Sequence, residues 1–335
     1  MDSKSRILEF LAGRELAGGR ELRELLGISR QALGVHLRPL IESGKVIKSG
    51  STRAARYSLA LRGSPPLVVR KDLALAGLAE AEVYEALASI MNLRSQLRPH
   101  VEATTRYAFT EVLNNAIDHS EANRSKIMFR LDAAAVSFEV RDPGIGLFHS
   151  IASKLGLPDE QTAMLELVKG KTTTMRERHT GEGLFFTSKV ADQFVLRSHR
   201  IQLEWNKAQD DVFVSAQRFL RGTRVNFRLL RGTRRRLEDV FHEFAPEEYD
   251  YRFQKTKVHV KLLQADYVSR SEAKRLLANL EKFREILLDF KDVRSIGQGF
   301  ADEIFRVFLH RHPEIQIRSR NVDPVVAAML RHVGG

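Results

Sequence analysis

The chain of 335 residues has no cysteine. That excludes disulfides, cysteine nucleophiles and thiolate metal sites, zinc fingers among them. No apolar run approaches the length of about 18 residues that a membrane-spanning helix needs. The opening stretch, MDSKSRILEFLAGRELAGG, is charged throughout and lacks a long apolar core, so it does not read as a signal peptide. There is no G-x-x-x-x-G-K-[ST] pattern, which removes P-loop phosphate chemistry. Internal repeats and long low-complexity tracts are also missing. The expectation is a soluble, cytoplasmic chain of about two or three domains, with no membrane contact.

What the sequence does have is positive charge. Lys+Arg 54 against Asp+Glu 42 leaves a formal net charge of +12. Such an excess points to an acidic partner: nucleic acid, anionic lipid or nucleotide. The charge is uneven. Residues 1–70 carry a net +7, and residues 217–236 hold eight arginines and no acid. Pro65-Pro66 after Gly63-Ser64 marks a linker, and the polar, acidic stretch 245–250 a second boundary. The organisation expected is 1–62, a linker and helix over 63–100, a central domain over 101–232, and a last domain over 250–335.

In the first segment Ile7, Leu8 and Leu11 have helical spacing behind Ser3 as a candidate N-cap. Leu22, Leu25 and Leu26 form a second apolar stripe. Ser29 caps a third helix, whose buried stripe is Leu33, Leu37, Leu40 and Ile41. Two short strands, 44–48 and 56–59, flank a Gly/Ser/Arg tip. Three helices and a β-hairpin make a winged helix-turn-helix of the α+β class. The stretch LRELLGISRQALGVHLRPLIESGKVIKSG, followed by RYSL, resembles the winged-helix family of bacterial regulators. The resemblance implies that the third helix enters the major groove of double-stranded DNA, with Ser29, Arg30, Gln31 and His36 facing it. Lys48, Arg53 and Arg56 of the wing would touch phosphates. Winged helices also serve as dimerisation or protein-docking modules, and a homodimer would help such a domain bind DNA. A long amphipathic helix over 79–97, ended by Pro99, reads as a dimer stalk or as packing for the next domain.

Three blocks in the central segment carry chemistry. In FTEVLNNAIDHS, Glu111 and Asn115 stand i and i+4 on one helix face. Asn115 offers an oxygen to a hard cation, and Glu111 can polarise a water or hydroxyl beside it. In VSFEVRDPGIGLF, the alternation of Val136, Phe138 and Val140 is that of a strand ending in Asp142. A carboxylate there can accept from an exocyclic amine such as that of adenine, and Gly144 and Gly146 let the backbone turn closely beneath a planar base. In HTGEGLFFTSKVADQF, Gly181 and Gly183 precede a helix. Free N–H groups and the helix dipole make that terminus a phosphate site. Taken singly, each block is also an ordinary helix end, an ordinary Asp-Pro-Gly turn or an ordinary G-x-G.

In this order and spacing the blocks resemble the GHKL ATPase superfamily. Its members include gyrase, heat-shock chaperone ATPases, mismatch-repair ATPases and the histidine-kinase catalytic domain. The likeness runs over residues 101–230 and includes RGTRVNFRL, where Gly222-Thr223 match the family's late Gly-Thr. It implies an α/β sandwich (Bergerat fold) binding ATP with Mg²⁺. Asn115 would be the metal ligand and Asp142 the adenine reader, with Gly144 and Gly146 shaping the pocket. Gly181 and Gly183 would lie by the phosphates, and Thr223 on the adenine side. Residues 147–180 would form the ATP lid, whose donors are Lys169, Lys171, Thr172, Arg176, Arg178 and His179, none singled out. An acid four residues before the metal Asn, here Glu111, occurs in gyrase-type ATPases, where it activates water. It also occurs in anti-sigma factor serine kinases, where it would activate a hydroxyl. His100 lacks the H-[ED] context of a phosphoacceptor.

The C-terminal segment alternates strand (258–263), helix (271–283), strand (286–290), helix (299–309), strand (315–317) and helix (324–331), a small α/β layer domain. ILLDFKDVRSIGQGFADEIFRVF resembles the STAS domain of anti-anti-sigma factors, and more closely the STAS-like module of unknown function found behind GHKL ATPases. Where a regulatory STAS domain has its phosphorylated Ser, this chain has Gln298-Gly299, and Ser295 is the nearest hydroxyl. A kinase–substrate relationship inside the chain is therefore not expected. Arg224 and Arg228, alternating with Val225 and Phe227, form a solvated sheet face or a second contact for DNA or an acidic partner. The resulting expectation is an ATP-binding transcriptional regulator and slow ATPase. Mg-ATP would shift the packing of three domains and so control DNA binding or a protein partner docked through the STAS-like domain. The alternative is a serine/threonine protein kinase of the anti-sigma factor type acting on a partner.

Overall fold

The computed structural model describes residues 2–14, 16–42, 45–49, 55–59, 66–170, 182–263 and 267–334, without the side chains of 42, 47 and 49. The N-terminal unit comprises α1 (Ser3–Ala12), β1 (Ala17–Gly18), α2 (Gly19–Leu26), α3 (Arg30–Glu42), β2 (Val46–Ser49) and β3 (Arg56–Leu59). Asp2, rather than Ser3, caps α1, its carboxylate accepting from Ser5 N at 2.7 Å. Gly27 takes the left-handed conformation (φ +66°) that ends α2. The three strands pair antiparallel in the order β1-β3-β2. Ile7, Leu11, Leu22, Leu33, Leu37, Leu40, Val46 and Tyr57 form a core separate from that of the rest of the chain.

The central sheet begins earlier than the sequence pattern indicates. β4 (Leu67–Ala74) falls in the segment read as linker and pairs antiparallel with β5 (Arg124–Leu131). Between them run α4 (Glu80–Ile90), the short α5 (Leu93–Gln96) and α6 (Pro99–His119). The single helix expected over 79–97 is thus broken, at Asn92, which is left-handed (φ 53°). Pro99 opens α6 as its first residue, where the missing N–H costs nothing. After β5 come β6 (Ala135–Asp142), α7 (Leu147–Leu155), α8 (Glu160–Lys169), α9 (Gly183–Val190), β7 (Gln193–Asn206) and β8 (Asp211–Leu230). The strands lie in the order β4-β5-β6-β8-β7, antiparallel throughout.

Period-two burial on these strands places Phe129, Phe138 and Phe227 against α6, where Phe109 meets Phe138 edge-on at 5.3 Å. The opposite face is polar. Arg224 there pairs loosely with Glu139 (3.8 Å), while Val225 and Phe227 point inward, so the arginine alternation follows the pleat.

The chain continues through α10 (Leu237–Phe244) into β9 (Lys255–His259), α11 (Arg270–Leu277), β10 (Glu285–Asp289), α12 (Gln298–Asp302), α13 (Leu309–Arg311), β11 (Gln316–Arg320) and α14 (Pro324–His332). Residues 303–308 between α12 and α13 wind as a π-helix. The three strands are parallel, in the order β11-β10-β9. Residues 260–263, read as strand from sequence, are a 3₁₀ turn.

This C-terminal layer shares one continuous hydrophobic core with the central domain. Phe253 is its keystone, within 4.6 Å of Phe185, 5.1 Å of Phe186 and 5.3 Å of Phe283, centroid to centroid. Among the described residues no helix is long and apolar enough to cross a membrane.

Candidate functional site

Asp142 ends β6 opposite Thr223 of β8. It is buried, and its Oδ1 accepts from Gly144 N at 3.0 Å and from Thr223 N at 3.3 Å. Burial raises its pKa above the ordinary carboxylate value, against the lowering effect of these two N–H groups. The turn that follows fits no other residue type at two points. A β-carbon on Gly144 would stand 1.9 Å from Ser120 O, because the loop crosses directly over the end of α6. One on Gly222 (φ +79°) would stand 2.1 Å from Asp142 O. Thr223 Oγ1 accepts from Leu147 N at 2.9 Å and so fixes the start of α7.

Asp142, Thr223, Asn115, Leu147 and Leu184 line one narrow cleft of about 20 Å³. That is room for about one water, so a larger ligand enters only as side chains such as Leu147 and Leu184 give way. Asn115 Nδ2 donates to Glu111 O at 2.6 Å, one turn back on α6, which leaves Oδ1 as the amide's outward acceptor. Glu111 lies at the other end of the site against Gly183, the first residue of α9, and near Tyr107. Burial together with Glu111 and Glu182 holds the Tyr107 phenol far above its usual pKa, so it remains a neutral donor.

The structure therefore brings Glu111, Asn115, Asp142, Gly144, Gly146, Gly183 and Thr223 together. Gly181 lies outside the described residues, as do Lys171, Thr172, Arg176, Arg178 and His179. Lys169 departs from expectation. It is buried, and its ammonium donates to Glu166 (2.7 Å) and to the α11-end carbonyls of Ala278 (2.8 Å) and Arg275 (3.2 Å). It anchors α8 to the C-terminal layer. Sequence reasoning missed His199, whose Nδ1 lies 2.6 Å from Glu160 Oε1 and whose ring abuts Gly146. Residues 39 positions apart in different elements leave no local trace of such a pair. No group of three or more His, Asp or Glu side chains is placed to hold a metal among the described residues.

The candidate DNA-facing residues divide. Ser29 Oγ accepts from Ala32 N (3.2 Å), so the hydroxyl serves as a helix cap. Arg30 and Gln31 are exposed on the first turn of α3. His36 is half-buried, and Gln31, Val35 and Arg38 are exposed. In the β2–β3 ladder Lys48 pairs with Tyr57 and Arg56 with Ser49, so Lys48 and Arg56 leave the hairpin on opposite faces. Arg53 lies outside the described residues.

Residues 76–204 match the family model of the histidine kinase-like ATPase domain. Residues 272–327 match that of the STAS-like domain of unknown function (DUF4325). No curated protein matches the chain.

Proposed function

We propose that this chain, which carries a histidine kinase-like ATPase domain and a STAS-like domain, is an ATP-binding regulatory protein whose N-terminal unit binds duplex DNA. The observation that carries the nucleotide reading is Asp142. It is a buried carboxylate with Oδ1 taken by two backbone N–H groups, at the edge of a cleft shared with Asn115. Its other carboxylate oxygen can accept from an adenine amine, and the absence of a side chain at Gly144 lets the loop cross α6 closely enough to hold the carboxylate in place. Asn115 Oδ1 would hold Mg²⁺, which supplies charge neutralisation at the phosphates. A hard cation that takes most of its ligands from phosphates and water suits a single protein oxygen. Gly183 heads α9, whose N-terminal N–H groups suit a phosphate. Glu111, beside that terminus, is the general base, taking a proton from water in a slow ATPase.

The DNA reading rests on the net +7 of residues 1–70 and on the exposed Arg30, Gln31 and Arg38 of α3. A winged helix-turn-helix is the arrangement that three helices and a small antiparallel sheet support. Counter-ion release makes its affinity for duplex fall steeply with salt. A flat salt dependence contradicts this part of the proposal.

The deciding experiment follows γ-labelled ATP with Mg²⁺ on the wild type, Asn115→Ala and Glu111→Ala. Phosphate release lost in both variants supports the ATPase. Transfer of label to a hydroxyl of a partner protein, dependent on Glu111, marks the serine/threonine kinase instead. No ATP binding in the wild type overturns both.

A further inference from the structure

A second cleft, of about 280 Å³, lies between the ATPase domain and the STAS-like layer, far larger than the one at Asp142. One wall is a face of the β9–β10–β11 sheet. Parallel sheets normally carry apolar side chains on both faces. Here the register sets Lys257, Leu287 and Arg318 in one row across the strands, and His259, Asp289 and Arg320 in the next. The opposite wall is the last turn of α9 with Trp205 and the β7–β8 turn.

Much of this charge is mutually satisfied. Asp210, at the β7–β8 turn, pairs with Lys257 (3.2 Å) and Arg320, and Asp289 pairs with Lys257 (3.2 Å) and Arg320 (2.9 Å). Burial, helped by Lys189 and Lys257, keeps His259 neutral. Three basic side chains remain over. Among the described residues Lys189, Lys207 and Arg318 make no ion pair, although all three line the cleft. Lys189 packs on ring faces, its ammonium 5.0 Å from the Phe185 centroid and 5.9 Å from that of Phe244, and burial together with Lys257 lowers its pKa to about 7, a shift that a bound anion would reverse. Trp205 adds a buried indole N–H that finds no acceptor. Basic side chains without an ion pair and an orphaned donor around one cleft are the complement of an anion.

We infer that this cleft binds a small oxyanion-bearing molecule, a phosphorylated or carboxylated metabolite, between Lys189 of the ATPase domain and Arg318 of the STAS-like layer. The site is independent of the nucleotide reading. Its ligand would bridge the two domains and touch the last turn of α9, the helix whose first residue packs on Glu111.

Trp205 is the only tryptophan in the chain and reports on the cleft directly. The test titrates the full-length protein, without Mg²⁺, with inorganic pyrophosphate and separately with citrate, following Trp205 emission. A saturable change below about 1 mM is expected with at least one probe. Pyrophosphate alone identifies the phosphorylated class, and citrate alone the carboxylated class. Lys189→Met and Arg318→Met should each weaken binding about tenfold or more, and Asp142→Asn should leave it unchanged. Arg318 is exposed, so its variant keeps the test valid should Lys189→Met disturb the core. No saturable change by about 10 mM, or one that survives both Met variants, overturns the inference.

Discussion

Glu111 lies so close to the backbone of Gly183 that a β-carbon on residue 183 would stand 1.7 Å from Oε2. The clashing atoms are the far end of a flexible side chain, so the carboxylate can swing aside. Gly183→Ala should therefore cost about 1 kcal/mol or less in urea unfolding. ATP turnover should fall toward that of Glu111→Ala. A Gly183→Ala protein with full turnover would show that the carboxylate position is immaterial.

Two further close approaches, at Gly144 and Gly222, meet backbone, which cannot swing. Gly144→Ala drives into Ser120 O, and Gly222→Ala combines a 2.1 Å clash with positive φ. Each should cost about 3 kcal/mol or more in urea unfolding, as overpacking and backbone strain add. Losses below about 1 kcal/mol would mean that the loop over α6 yields.

Asp142 sets a pH dependence. Its folded-state pKa is raised by burial, so the native state holds its proton to higher pH than the unfolded chain does. Its contribution to stability is present below the unfolded pKa and is lost as pH rises through the folded one. Binding of an adenine amine has the opposite sign, since only the ionised carboxylate accepts both from the amine and from Gly144 N. ATP-analogue affinity should drop on acidification before ordinary surface carboxylates titrate. Asp142→Asn should bind about 10–100-fold more weakly with a flat profile, measurable by calorimetry from pH 4.5 to pH 7.5.

Lys169 and Glu166 form a buried pair at 2.7 Å, with Asn279 donating to the second carboxylate oxygen at 2.8 Å. Lys169→Met strands Glu166 and should destabilise by about 3–5 kcal/mol. Adding Glu166→Gln should restore much of that loss. A double-mutant cycle in urea with no coupling would remove this contact as the tether of α8.

The chemistry-bearing blocks were legible because each joins a periodic element to residues of special backbone conformation. The alternation that ends at Asp142 and the helix that carries Glu111 and Asn115 stand in the structure, with Asn115 and Asp142 on one cleft. β4 was not legible. LVVRKDLA lacks a clean alternation, since an edge strand leaves most of its residues partly or fully exposed. The burial of Lys169 left no local trace either. The carbonyls that take its ammonium lie 106 and 109 positions later. On α3 the stripe Leu33, Leu37 and Leu40 is buried as its spacing predicts, while the exposure of Arg38 and Val35 shows only in the folded unit. The break at Asn92 and the π-helical run 303–308 depend on packing between elements, so an amphipathic pattern passes through them unmarked.

The rings around Phe253 have a consequence for how the molecule ages and breaks. A boundary drawn between residues 232 and 250 falls where Phe241, Phe244 and Phe253 tie the two sides into one core. Severing the chain there would leave both halves with newly wetted aromatic surface and a tendency to stick to one another's copies. ATPase and STAS-like portions should therefore unfold as one unit. The N-terminal unit, with its own separate core, is the part that can be exchanged or lost while the remainder keeps its shape.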